Sequence, residues 1–91
     1  MYKLVISKAA GKFIKSLAPK QYKQIVSRVL SLRENPRPTD SKKLKGNNPF
    51  HRADIGEYRI IYRDDESTVY ITIIGKRNDD QIYKKFKQKH N

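Results

Sequence analysis

The chain has 91 residues, room for one small domain over residues 1–91 with a modest core. Its 21 Lys and Arg against 9 Asp and Glu leave a net charge of +12, a self-repelling surplus that points to a polyanionic partner, nucleic acid first and an acidic protein second. There is no cysteine, which excludes a disulfide framework and a thiolate metal site. The opening MYKLVISKAAGKF carries no long apolar run, so neither a signal peptide nor a membrane span is expected, and the domain is expected in the cytoplasm.

Residues 2–6, YKLVI, are rich in β-formers and suggest a short first strand. Ser7 stands at an N-cap position, and Ala10, Phe13, Ile14 and Leu17 follow at helical spacing. Ala18-Pro19 breaks that helix, and Pro19 suits the first turn of the next, where its missing N–H costs nothing. The second helix carries an apolar stripe of Tyr22, Ile25, Val26, Val29 and Leu30, and ENPRPTD ends it near Asn35. The two form a helical hairpin whose stripe requires a sheet to pack on.

Residues 41–50 read as a polar connector with one candidate buried anchor, Leu44. Strands are expected around His51–Asp54, Glu57–Arg63 and Thr68–Ile74, with a turn at DDES, residues 64–67. Strict alternation in the last strand puts Val69, Ile71 and Ile73 on one face and Tyr70, Thr72 and Ile74 on the other. Both faces are apolar enough for an interior strand. A final helix is expected with Asp79 or Asp80 as its N-cap and Ile82, Tyr83 and Phe86 inward. The order β-α-α-β-β-β-α defines an α+β domain: a small antiparallel-dominated sheet with an N-terminal helical hairpin and a C-terminal helix.

Phosphate-loop, HExxH and CxxC motifs are absent, so no metal or other cofactor is expected. His51 and His90 would suit acid–base cleavage of RNA, but His90 belongs to the chain end, and for His51 a surface role and a catalytic one stand open. Arg52, Arg59, Arg63 and Arg77 fall on strands or strand ends, rigid supports for a fork that pairs bidentately with phosphate. Arg59 and Arg63 share parity with Ile61, opposite Tyr58, Ile60 and Tyr62. Their face is either a solvated sheet surface or an anion site, and Tyr83 either packs its helix or stacks a nucleobase.

The sequence resembles the RelE branch of the RelE/ParE superfamily of bacterial toxins. The resemblance rests on Leu44-Lys45-Gly46, on Gly56-Glu57-Tyr58-Arg59-Ile60-Ile61-Tyr62, on Gly75-Lys76-Arg77, and on Tyr83 six residues past that arginine. It implies a ribosome-dependent endoribonuclease that cuts mRNA in the ribosomal A site through attack of a ribose 2′-OH on the adjacent phosphate. By motif position Arg59 and Arg77 would clamp the phosphate, with Arg77 also a candidate proton donor. Tyr83 would orient the nucleotide, and Arg52 matches the first of two basic residues on the preceding strand. The second falls on Asp54, which would act either as a weak general base or as a partner for Arg52 or Arg59. Lys45, Arg63, Lys76 and Lys84 would contact RNA. The implied partners are the ribosome, mRNA and a cognate antitoxin acidic in its toxin-binding segment, with the toxin–antitoxin complex on operator DNA. The superfamily also holds ParE-like gyrase inhibitors, and a non-catalytic nucleic-acid-binding module is the third reading.

Overall fold

The computed structural model describes residues 1–77; the expected last helix, with Asp79, Asp80, Ile82, Tyr83, Lys84 and Phe86, and the tail with His90 lie outside the described residues. The elements are β1 (Lys3–Ile6), α1 (Lys8–Lys15), α2 (Pro19–Glu34), β2 (Lys42–Lys43), β3 (His51–Ile55), β4 (Tyr58–Asp64) and β5 (Thr68–Lys76). They build a five-stranded sheet in the order β1-β5-β4-β3-β2, antiparallel except for the parallel β1–β5 pair. The two-residue strand β2 arises inside the expected connector, where Lys42 and Lys43 pair with Arg52 and His51. Two consecutive lysines carry no alternation from which a strand could be read.

Both helices start for local reasons. The Ser7 side chain accepts a hydrogen bond from the Ala10 amide at 3.0 Å, satisfying a first-turn donor of α1. Pro19 begins α2, where its fixed φ favours the helix. The end of α2 is tied to the start of β1, since Arg33 accepts from the Tyr2 amide at 3.2 Å and its Nε donates to the Tyr2 carbonyl at 2.8 Å. Helix α2 buries Ile25, Val29 and Leu32, whereas Tyr22 and Leu30 of the expected stripe remain 45% and 46% exposed. The inward line is i, i+4, i+7 from Ile25, which rotates the helix away from the stripe's flanks. Those flanks wall an apolar groove of about 300 Å³ with Leu4, Ile6 and Val26.

The main core joins Ala10, Ile14, Ile25, Val29 and Leu32 to Ala53, Tyr58, Ile60, Tyr62, Val69, Ile71 and Ile74. A smaller cluster on the sheet's opposite face holds Phe50, Ile61 and Ile73, with Leu44 packed against it. Ile73 parts from Val69 and Ile71 while Ile74 joins them, which corrects the strict alternation expected of β5. Ile61 pairs with Ile73 but Tyr62 pairs with Ile71, so Thr72 is an extra residue, a β-bulge. Val69 and Ile71 face the helices; beyond the bulge that role passes to Ile74, and Ile73 faces the other way.

This phase change decides where Arg77 goes. In an unbroken strand Arg77 would share parity with Ile71 and face the helices. After Thr72 it shares parity with Ile73 and lies on the face turned away from α1 and α2. The bulge is held from outside the sheet: Ser7 donates its amide to the Ile71 carbonyl at 2.9 Å and its hydroxyl to the Thr72 carbonyl at 2.6 Å.

Candidate functional site

The face of β3, β4 and β5 turned away from α1 and α2 gathers charge at one end. A two-residue turn at Gly56-Glu57 closes the β3–β4 hairpin, and its register sets Asp54 directly opposite Arg59. Gly56 has φ +57, a left-handed value that calls for glycine, whereas an added Cβ would meet only the movable end of Gln24, 2.7 Å from its Nε2. The Arg77 amide donates to the Glu57 carbonyl at 2.8 Å, which pins the end of β5 to that turn.

Around Asp54 three arginines converge. Arg59 makes a two-pronged contact, Nε to Oδ1 at 2.8 Å and Nη2 to Oδ2 at 3.2 Å. Nη1 of Arg52 lies 3.7 Å and Nε of Arg77 3.8 Å from the same Oδ2, close enough for charge attraction. The Arg59 side chain is 13% exposed and that of Arg77 51%, so the cluster has a buried root and an accessible edge. The Arg59 hydrogen bond, aided by the charges of Arg59, Arg77 and Arg52, holds the Asp54 carboxyl below the usual carboxylate range, with partial burial opposing. The carboxylate is therefore ionised at neutral pH and a poor proton acceptor. The apolar cluster of Phe50, Ile61 and Ile73 borders the arginines on the same face, since Ile61 pairs with Arg52 across the ladder.

Arg63 shares this face, with its guanidinium carbon 3.9 Å from the centroid of Tyr70, whose hydroxyl donates to Asp65 at 3.1 Å. Lys45 is exposed beside Gly46, and Lys76 is exposed one step off the arginine row, opposite Tyr58. Tyr83 and Lys84 lie outside the described residues. His51 is on the wrong side for the cluster: it pairs with Tyr62, 6.0 Å between ring centroids, on the helix-facing side of the sheet. Burial, with the charges of Arg37 and Lys43, pushes its pKa down, against the pull of Asp64. Sequence reasoning missed Ser7 and Thr72 as supports of the site, because the bulge they hold depends on register with β4 and leaves no signal in the alternation of β5.

Two helices on one face of a mostly antiparallel sheet, with three arginines about one carboxylate on the other, define a small basic protein able to receive an anion on a rigid surface. Residues 4–81 match the family model for the ParE toxin of the type II toxin–antitoxin system parDE. The chain belongs to this family, and so to the RelE/ParE superfamily of toxins. No curated protein matches the chain. Among solved structures it is similar to the archaeal RelE–RelB complex from Pyrococcus horikoshii, with 27% identity and TM-score 0.73 over 85% of this chain and 96% of that one. It is also similar to the toxin–antitoxin complex RelBE2 of Mycobacterium tuberculosis, with 25% identity and TM-score 0.73 over 84% and 98%. A free mutant form of the E. coli toxin RelE shares the fold at TM-score 0.78 and 21% identity, covering 99% of this chain and 98% of that one.

Proposed function

We propose that this toxin is a ribosome-dependent endoribonuclease that cuts mRNA in the A site. The observation that carries the reading is the convergence of Arg52, Arg59 and Arg77 on one point of a rigid sheet face. In the reaction the ribose 2′-oxygen attacks phosphorus and the P–O5′ bond breaks, leaving a 2′,3′-cyclic phosphate and a free 5′-OH. The 2′-OH proton passes to solvent, and the departing 5′-oxygen takes one from Arg77 or from solvent. The arginine cluster offsets the charge that accumulates on the phosphorane, and Arg77 is the most accessible of the three. Tyr83 is assigned to orient the nucleotide by the motif alone. Lys45, Arg63, Lys76 and Lys84 contribute to RNA attraction, with no individual step given to them.

The described residues offer no neutral base beside the cluster. Asp54 is tied up by arginines, and His51 is on the far side of the sheet. Catalysis then depends on the ribosome bending the RNA into line, because positioning alone can supply a large part of a rate. Free RNA should be a poor substrate. The partner that restrains the toxin is a cognate antitoxin, in keeping with the matched structures that are toxin–antitoxin complexes, and a chain of +12 calls for an acidic segment in it. The complex would be the form that meets operator DNA.

The test is an in vitro translation reaction on a defined mRNA with primer extension, beside the same RNA without ribosomes. New 5′ ends at codon positions only where ribosomes are present support the reading; intact mRNA contradicts it. A second reading, inhibition of DNA gyrase without RNA cleavage, is favoured by the matched family model and by the carboxylate among the arginines. A supercoiling assay decides that one.

A further inference from the structure

The three arginines do not hold Asp54 equally. Arg59 spends two donors on the carboxylate at hydrogen-bonding distance, on a cross-strand pair fixed by the hairpin register. Arg52 and Arg77 stand off at 3.7 and 3.8 Å from Oδ2, gathered by charge. A carboxylate and a phosphodiester present the same thing to such a cluster: two oxygens sharing a negative charge, matched to the fork of a guanidinium. We infer that Asp54 is an internal stand-in for the RNA phosphate, around which Arg52, Arg59 and Arg77 assemble before substrate arrives, and that the incoming phosphodiester takes over Arg52 and Arg77 while Arg59 stays on the carboxylate. Arg59 is then a positioning residue acting through Asp54, and the phosphate ligands are the two outer arginines.

The inference rests on the assignment of an RNA phosphodiester to this cluster. Its consequence is selectivity. A phosphate that enters must share the site with a fixed negative charge, which weakens every loosely presented strand. RNA already held in place, as on a ribosome, meets both outer arginines at far lower concentration than a free strand does. Asp54 thus keeps a protein of charge +12 from filling its arginine cluster with whatever RNA it meets.

The experiment uses the full chain and a 2′-O-methyl oligoribonucleotide, which cannot be cut at any position. Its binding is followed by fluorescence anisotropy across a salt series for the unaltered protein and Asp54→Asn, which keeps the size and one acceptor for Arg59. With the carboxylate charge removed, binding should tighten about three- to tenfold at low salt. The slope of log K against log salt should steepen by about 0.7 as one further phosphate is neutralised. In parallel, the arginine Nε–Hε resonances of the unaltered protein are followed during titration with the same oligonucleotide. Those of Arg52 and Arg77 should shift and that of Arg59 should stay. Equal or weaker binding by a folded Asp54→Asn with an unchanged slope overturns the inference. So does an Arg59 resonance that moves with the other two, an arm that needs no variant to fold. Neither readout involves cleavage. A protein that cuts ribosomal mRNA yet fails these tests loses the inference alone, and one that passes them without cutting loses the nuclease reading.

Discussion

The Ser7 hydroxyl joins the start of α1 to the irregular point of β5: it accepts from the Ala10 amide at 3.0 Å and donates to the Thr72 carbonyl at 2.6 Å. A bulge carbonyl has lost its partner in the ladder, and a helix N-terminus has amides without partners; one side chain serves both. Because the bulge sets the face on which Arg77 emerges, Ser7 bears on the site from the opposite side of the sheet. Replacing Ser7 with alanine should cost about 1–2 kcal/mol in urea unfolding, the sum of a lost cap and an unsatisfied carbonyl. Ser7→Thr should recover most of it, and an unchanged midpoint for Ser7→Ala would show that the link carries no weight.

A second prediction concerns the core alone. Tyr62 is fully buried in β4, and its hydroxyl donates to the Pro36 carbonyl at 2.7 Å, which fastens the loop after α2 to the sheet. Tyr62→Phe should destabilise the protein by about 0.5–1.5 kcal/mol in thermal or urea unfolding, since the Pro36 carbonyl loses one of two donors and keeps Nη1 of Arg37 at 3.1 Å. It should leave RNA binding unchanged, because the ring lies on the helix-facing side.

His51 provides a pH prediction. Burial and nearby cations lower its folded pKa below the ordinary 6.5, so at mildly acidic pH the unfolded chain takes up a proton that the folded one refuses. This contribution to stability is whole above about pH 6.5 and falls as the pH drops below it. His51→Gln should flatten that part of the stability–pH curve and leave cleavage at the unaltered level. A large loss of cleavage would place His51 in the chemistry and contradict the geometry.

Asp54 predicts the opposite limb. Its folded pKa is lowered, first by the Arg59 hydrogen bond, so its contribution is present above the ordinary carboxylate pKa of about 4 and is lost as pH falls through the folded value. Asp40, bonded to Arg28, and Asp65, bonded to the Ser67 and Thr68 amides, titrate in the same sense. Asp54→Asn should therefore shrink the acid-side loss of stability without abolishing it. An unaltered acid limb would mean that the arginine cluster does not stabilise the fold.

The sequence made much of this legible. Ser7, Pro19 and the Asn35-Pro36 stop bound the helices, and alternation in β4 separates Tyr58, Ile60 and Tyr62 from Arg59, Ile61 and Arg63. Local chemistry is enough for such features. The departures depend on tertiary geometry. Leu32 replaces Tyr22 and Leu30 in the core because the rotation of α2 is set by the sheet beneath it. The bulge at Thr72 depends on register with β4 and on a hydroxyl 65 residues away in sequence. The meeting of Arg52, Asp54, Arg59 and Arg77 needed the hairpin register and the bulge together, which no spacing along the chain encodes.

Single-turnover cleavage of ribosome-bound mRNA, comparing the unaltered protein with Arg77→Ala, tests the central claim most directly. With a stabilising donor removed from the transition state, the cleavage rate should fall about 10²- to 10³-fold, and the unaltered protein's product should end in a 2′,3′-cyclic phosphate. Cleavage by Arg77→Ala at the unaltered rate, or a product of the unaltered protein without the cyclic phosphate, would contradict the account.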